Sequence, residues 1–534
     1  MAIEFLLTRR AVLRRAGGVV AAAFPSRLLS PSTSYERSGF SGTFSRAFGP
    51  TSSPAASATP AQGTAADLPI GDVMTKLSTY MSEARDRALP EEVLEQARRH
   101  VLDTIAAMIS GSELVPGRAA IAFARAYGGK PVATIVGDTV LCGPIEAALA
   151  NGTMAHADET DDTLAPGPWH PGCNVVPAAL AVGEQFGTSG AHFLRAVALG
   201  YDVGTRVMAA IQPGMANSHK LTYGIGGVFG AAAAAGCAAS LDAQKMRWVL
   251  SYTAQQSSGI ESFPRDLDHI EKGFIFGGMP ARGGVTSVLL VHAGWNAVND
   301  IMSGPDNFIL ANAPTGKAEL LIDKLGERYE LTRANIKKWT VGQPIHAPLD
   351  AVEALLKTQP IDPNQVQEIV VRYQPGSITD NSGPSDINVQ HALAVMLIDK
   401  TVTFRNIHDK ARLQDPAIVR LRAKVRLDPG PPGRGGNVAR PPLIQITLAD
   451  GTRLTQDTLA GGVLGTAANP MTREQVVAKC RDLMAPVLGA PTTTRLIDRV
   501  LALEKAGNIR ELRPLLQVTS RGGSPRLSEY PFAK

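Results

Sequence analysis

The stretch LPEEVLEQARRHVLDTIAAMISG, residues 89–111, decides the fold class. Pro90, Glu91 and Glu92 put a φ-restricted residue and two carboxylates where the first turn of a helix leaves its N–H groups unpaired. Val93, Ala97, Val101, Ile105 and Ile109 then recur at helical spacing before Gly111 ends the run. The spacing predicts an amphipathic helix whose apolar face must pack on neighbours. Such neighbours follow, with helical patterns over 143–157, 175–187, 189–211, 227–239, 242–257 and 280–293 divided by Gly, Pro or Asn. They are rich in Ala and Gly, as between Gly230 and Gly236, which lets backbones approach closely. Residues 68–325 therefore read as an all-helical domain. The run Gly224–Gly230 looks like a phosphate loop, but it misses GxGxxG spacing and follows no predicted strand, so helix packing is the better reading.

Beyond 325 the texture changes. Val366–Tyr373, Lys424–Leu427 and Leu443–Leu448 alternate or are β-branched, and Ala449-Asp450-Gly451 makes a hairpin-like turn before Thr452–Thr455. This is a small α+β domain over 326–468. Helical pattern returns at Arg473–Leu483 and Thr493–Leu503. The tail 469–534 is too short to form its own core, so it is expected to pack back on the helical domain and leave the α+β unit as an inserted lid. The predicted class is mostly α with a smaller α+β domain.

The chain has 534 residues, 44% hydrophobic and 19% charged, which is ample for a core and too long for one unit. The net charge of +5 owes much to Arg9, Arg10, Arg14, Arg15, Arg27, Arg37 and Arg46 near the amino terminus. No basic stripe with interleaved aromatics points to nucleic acid. Cys142, Cys173, Cys237 and Cys480 have neither zinc-knuckle nor iron–sulfur spacing and read as small hydrophobes, with disulfides an option only after export. Thr8-Arg9-Arg10-Ala11-Val12-Leu13-Arg14 before the mildly apolar Ala16–Phe24 resembles a twin-arginine export signal over 1–30. A Ser/Thr/Pro/Gly/Ala-rich spacer over 31–67 follows, expected to be disordered. The expected location is periplasmic or otherwise exported, and cytoplasmic if the signal reading fails. No uninterrupted apolar run reaches membrane-spanning length, so the mature chain is not expected to span a bilayer.

Chemistry concentrates in His156-Ala157-Asp158-Glu159-Thr160-Asp161-Asp162-Thr163, with His170-Pro171-Gly172 shortly after. Burying so many carboxylates without partners is costly, which favours a wet concave site over a packed core; a solvated acidic loop is the bland alternative. Cys173 beside this turn reads as packing, since no base is placed for it by sequence.

Together these segments resemble the MmgE/PrpD family, which includes 2-methylcitrate dehydratase and cis-aconitate decarboxylase, over roughly 68–505. The residues that carry the resemblance are His156, Glu159, Asp161-Asp162-Thr163 and His170-Pro171; Gly200-Tyr201-Asp202-Val203 with Arg206; His219 with Thr222; Lys272 before Gly277; and Lys337-Lys338-Trp339 with His346 and Asp350. The family usually has Asp where Glu159 stands, His where Ile275 or Phe276 stands, Tyr-Pro where Trp339-Thr340 stands, and an aromatic-containing sequence where Gln390-His391 stands. These departures alter the pocket without removing its acid/base skeleton.

The resemblance implies a cofactor-independent lyase, a dehydratase or decarboxylase of a small di- or tricarboxylate, working as a homodimer without a metal. His170 and His219 would shuttle protons, Lys272 would neutralise a carboxylate, and Asp161 or Asp162 would fix the imidazoles. Thr163, Glu159, His156, Trp339 and His346 would contact substrate, and His391 would face the interdomain cleft. Three other readings stay open: an isomerase or epimerase of a related acid, a divalent-metal hydrolase using His156, Asp158, Asp161 and His170, and a non-catalytic periplasmic carboxylate-binding protein.

Overall fold

Pro90 stands immediately before a helix that runs unbroken from Glu91 to Gly111 and buries Val93, Ala97, Val101, Ile105 and Ile109, the face its spacing predicts; from His100 onward the core encloses it on every side. The structure, a computed structural model, describes residues 69–164, 169–215, 218–372, 383–428, 444–457 and 461–518. The expected signal and spacer over 1–67 lie outside the described residues.

The helical layer comprises α1 (Asp72–Glu83), α2 (Glu91–Gly111), α3 (Val115–Tyr127), α4 (Pro144–Ala155), α5 (Gly172–Phe186), α6 (Gly190–Ile211), α7 (Thr222–Ala238), α8 (Ala243–Gln255) and a long run α9 (Ile270–His292). The glycine-rich segment after Leu221 is the start of α7, buried among helices. Lacking a polar face, α7 can be stable only inside a core. The run α9 is long and apolar enough to cross a membrane, yet 67% of its apolar window is buried against the other helices, as in a core helix.

That run is not a uniform α-helix. Ile270–Gly273 is one α turn, Phe274–Gly278 is a π turn, and α geometry resumes at Met279. The π turn brings Gly277 against Gly152 of α4, where a Cβ on Gly277 would stand only 2.1 Å from the Gly152 carbonyl oxygen. Only a glycine pair permits this crossing, and it sets Phe276 beside the end of α4, where His156 lies.

The smaller layer holds α10 (His346–Thr358), α11 (Val389–Asp399) and a four-stranded sheet of β1 (Val366–Arg372), β2 (Val425–Asp428), β3 (Ile444–Leu448) and β4 (Arg453–Gln456). The strand order is β2-β1-β3-β4, with β1 parallel to β2 and antiparallel to β3. Ile369 pairs with Val425 and Ile446 with Leu454, which puts buried residues of successive strands in one apolar cluster with Leu349, Val352 and Leu393. The architecture is thus mostly α with a smaller α+β part. The C-terminal helices α12 (Arg473–Leu488) and α13 (Ala490–Leu501) place Leu483, Met484, Leu496 and Ile497 in the core of the helical layer. The layers are also tied by a short antiparallel ribbon, Thr163↔Asn335 and Leu164↔Ala334. All four cysteines are buried free thiols.

Candidate active site

The acidic run leaves α4 at His156, which occupies the C-cap position, and turns back toward α5. It is not a solvated loop: Asp158, Glu159, Asp161 and Asp162 are all buried. The expectation of a wet site rested on a lack of partners, and the partners come from distant parts of the chain.

Asp161 is the hinge of the cluster. Its carboxylate lies 3.0 Å from Nδ1 of His156 and 3.0 Å from Nδ1 of His170, and Lys337 Nζ is 3.7 Å away. Burial works against its ionisation, but the imidazoles of His156 and His170 outweigh it and hold the carboxyl well below its ordinary range. An ionised carboxylate only accepts, so both Nδ1 atoms carry protons and, in the neutral rings, both Nε2 atoms are left as bases. Burial, partly countered by Asp161 and reinforced by Lys337, lowers the pKa of His170, which favours the neutral, basic imidazole. His156 is fully buried, its Nε2 without a partner among the described residues, whereas the His170 side chain keeps 13% exposure.

Asp162, one residue on, points elsewhere. It accepts from the Gly172 backbone N–H at 2.8 Å and from the Tyr201 hydroxyl, and faces His100 Nδ1 at 2.6 Å. A Cβ on Gly172 would meet its Oδ1 at 2.8 Å, so glycine is what lets the carboxylate cap α5. Asp162 therefore fixes the start of α5, and with it the turn bearing His170, while Asp161 alone holds the two imidazoles. His170 does not cap α5 itself.

Glu159 joins two cations. Lys272, in the first turn of α9, donates to one carboxylate oxygen, and Lys337 donates to the other at 3.2 Å and to the Glu159 carbonyl at 2.9 Å. Burial pushes the Glu159 carboxyl up, but Lys272 and Lys337 prevail and hold it well below the usual range. Phe276 stacks on His156 at 4.7 Å with ring planes 2° apart and meets His170 edge-on at 5.5 Å. Cys173 is a buried thiol pushed well above its usual pKa by burial and then by Asp161, so it offers no thiolate.

The smaller layer reaches the same cluster. Asp386 accepts from the Glu159 backbone N–H at 3.1 Å, and His408 Nε2 lies 3.4 Å from Asp158. Thr163 donates to Gln343 at 3.3 Å and accepts from Asn335 at 3.4 Å, so its hydroxyl helps to tie the layers together.

Other expected residues stand apart. Trp339 is buried in the smaller layer's own core, donating from Nε1 to Asp350 at 2.8 Å with the Lys338 ammonium 4.2 Å from its ring. His346 opens α10, fully buried, with Nε2 3.2 Å from the Val341 carbonyl and its pKa pushed down to about 3 by burial and then Lys337. His391 is buried on α11, in the smaller layer, with no hydrogen-bond partner for either ring nitrogen among the described residues; burial and then Arg422 and Arg412 lower its pKa to about 4. His219 is exposed with φ 54°, and among the described residues its imidazole makes no hydrogen bond or ring contact with the cluster. Its carbonyl accepts from the Glu261 N–H at 3.1 Å, just before Leu221, which packs with Ile275 and Phe276.

Residues 75–320 match the MmgE/PrpD N-terminal domain, and residues 339–505 match the MmgE/PrpD C-terminal domain. The chain belongs to the MmgE/PrpD family. Among its relatives, a cis-aconitate decarboxylase of Aspergillus terreus is 24% identical over 480 residues, covering 83% of this chain and 96% of that protein. The cis-aconitate decarboxylase of Homo sapiens is 24% identical over 458 residues, covering 82% and 92%. A cis-aconitate decarboxylase-like protein, oryM, of Aspergillus oryzae is 22% identical over 484 residues. In this MmgE/PrpD chain, His156, Asp161, His170 and Lys272 all fall in the N-terminal match, Asp386 and His408 in the C-terminal one, and Lys337 in the join between them.

Sequence reasoning gave Lys337 no role and passed over His100, His269 and His408. His269, held at φ 60°, is buried with no partner for Nε2 among the described residues and its ring 5.4 Å from His156; burial and then Lys272 push its pKa well below the usual value. Lys337 carried a faint signal as part of Lys337-Lys338-Trp339; a lone His269 or His408 carried none.

Two sets of side chains could bring ligand atoms to one metal ion: His156, Asp161 and His170, and His156, Glu159 and His269. Neither suits a dication. Both Asp161 oxygens already face imidazole N–H groups, and both Glu159 oxygens face ammonium groups, whose charge would oppose a metal ion.

Proposed function

We propose that this chain is a cofactor-independent lyase that removes water or carbon dioxide from a small carboxylic acid by proton transfer next to a carboxylate. The observation that carries the reading is the single carboxylate of Asp161 holding both His156 and His170 by Nδ1, which leaves His170 Nε2 as a partly accessible base within an aromatic and cationic site. In a dehydration, His170 takes the proton beside the carboxylate, the C–H electron pair forms the C=C bond, and the β-hydroxyl leaves as water with a proton from an acid. In a decarboxylation, the C–C bond electrons stay on the substrate as carbon dioxide leaves, and an acid returns a proton to carbon. Lys272 stabilises the carboxylate on which negative charge grows, and His219, on the exposed segment before Leu221, exchanges protons with solvent. The resemblance of the relatives named above, all cis-aconitate decarboxylases or like them, supports the lyase reading. We propose a homodimer as the working form.

The test is proton NMR of the purified chain incubated with citrate, 2-methylcitrate, cis-aconitate and related four- to six-carbon acids. Loss of substrate with release of water or carbon dioxide, abolished in His170→Ala, is expected. Turnover that requires added zinc, manganese or magnesium would replace this reading with the metal hydrolase, and binding without turnover would replace it with a carboxylate-binding protein.

A further inference from the structure

Among the described residues the lysines of the site are already matched by carboxylates. Glu159 and Asp161 face Lys272 and Lys337, each lysine is engaged by Glu159, and the buried carboxyls of Asp158 and Asp386 lie beside them. A substrate carboxylate that needs Lys272 must share it with, or take it from, Glu159. Each further substrate carboxylate enters a site with no spare lysine among the described residues, and an uncompensated buried charge is strongly disfavoured. Among the described residues, His156 Nε2 and His269 Nε2 are buried there without a hydrogen-bond partner.

Beside these charged groups lies a hydrocarbon surface. Leu221, Ile275 and Phe276 form a hydrophobic cluster separate from the cores of the two layers, with Tyr223, Phe263 and Met279 packed on it. Tyr223 and Phe263 meet Phe276 edge-on at 5.1 and 5.0 Å, and the Lys272 ammonium lies 5.5 Å from the rings of both Phe263 and Phe276. A cation at the rim of an aromatic wall matches a ligand with one anionic end and an apolar body.

We propose that Glu159 is a resident carboxylate that occupies the Lys272–Lys337 cation pair and thereby selects a substrate with fewer carboxylates than a tricarboxylate, its apolar body resting on Phe276, Tyr223 and Phe263. This assignment of substrate class rests on the carboxylate-lyase reading above. The glutamate side chain lets one carboxylate meet both ammonium groups, one at each oxygen.

Isothermal titration of the full chain with citraconate and tricarballylate tests the proposal without requiring turnover. The wild type is expected to bind the dicarboxylate about tenfold or more tighter than the tricarboxylate. Glu159→Gln removes the resident charge and should bring the two affinities within about threefold, chiefly by strengthening tricarballylate. Phe276→Ala should weaken citraconate more than tricarballylate. Because Glu159→Gln leaves two buried lysines less compensated, thermal melting accompanies each titration. Glu159→Asp, which keeps the charge but withdraws it by one methylene, provides the second variant and should give an intermediate ratio. A ratio that neither variant moves, or a wild type that prefers the tricarboxylate, overturns the resident-carboxylate assignment and leaves the lyase reading standing. Failure of both acids to bind the wild type overturns the assignment together with the carboxylate site on which it rests.

Discussion

Replacing Asp161 by Asn tests the arrangement at its hinge. Asparagine keeps the shape of the side chain but exchanges one accepting oxygen for a donating NH2 group and removes the charge. His170 faces Oδ1 at 3.0 Å, while His156 faces both oxygens at 3.0 and 3.1 Å. One imidazole can keep its Nδ1–H against the remaining oxygen; the other meets an NH2 group and must change tautomer, losing its basic Nε2. The imidazolium that forms when His170 accepts a proton also loses its counter-charge. A unit charge about 4 Å away at an effective dielectric near 20 is worth about 4 kcal/mol. Lys337, 3.7 Å from the same carboxylate, repels the imidazolium in both proteins and so cancels in the comparison. About 4 kcal/mol is lost, so kcat should fall roughly 10³ fold, and further if the retained tautomer is the wrong one. The sign of the pH effect follows as well. Asp161 raises the His170 pKa against the lowering by burial, so its loss moves the acid limb of kcat/KM to lower pH while the plateau drops. The assay is a pH profile of initial rates on the substrate found by NMR screening, with circular dichroism to confirm folding. A folded Asp161→Asn enzyme with a rate within about threefold of wild type and an unmoved acid limb would refute the shared-carboxylate argument.

His170→Ala and Lys272→Ala should each lower turnover by about 10² fold or more with the fold retained, and exposed His219→Ala by less; initial rates on the true substrate rank the three, and a wild-type rate in either of the first two removes that residue from the mechanism. Gly277→Ala would place a Cβ 2.1 Å from a backbone oxygen of α4, and because backbone cannot yield as a flexible side chain does, a loss of about 3 kcal/mol or more is expected as a lower melting temperature; an unchanged melt would show that the crossing is looser than described. Glu159 and Asp161 hold pKa values below their unfolded ones, so the stability they contribute is fully present above the unfolded values and is lost as pH falls through the folded ones; a urea midpoint that does not decline below about pH 4 would contradict this. Replacing both Arg9 and Arg10 by Lys should trap the chain in the cytoplasm, read by cell fractionation, and a wild type already cytoplasmic would end the export proposal.

What was legible in the sequence is what neighbouring residues settle among themselves. The run from Val93 to Ile109 was legible as a helix because Val93, Ala97, Val101, Ile105 and Ile109 recur at helical spacing, and the change to alternating residues near Val366 marks the sheet for the same local reason. His156, Asp161 and His170 could be picked out because one short segment carries them and resembles a known family. Their division of labour could not. Asp161 and Asp162 are adjacent and chemically identical, yet one holds two imidazoles and the other caps α5, because the backbone turns between them and aims their side chains at different helices. Lys337, His269 and Asp386 are brought to the motif from segments about 100 to 230 residues further along the chain, and no local pattern distinguishes such a lysine, histidine or aspartate from a solvated one. The sequence by itself therefore determined the elements and the chemical types collected in the motif. Only the tertiary structure decided that the acidic run is buried rather than wet, since the free energy of burying a charge depends on which opposite charges the packing of distant helices delivers to it.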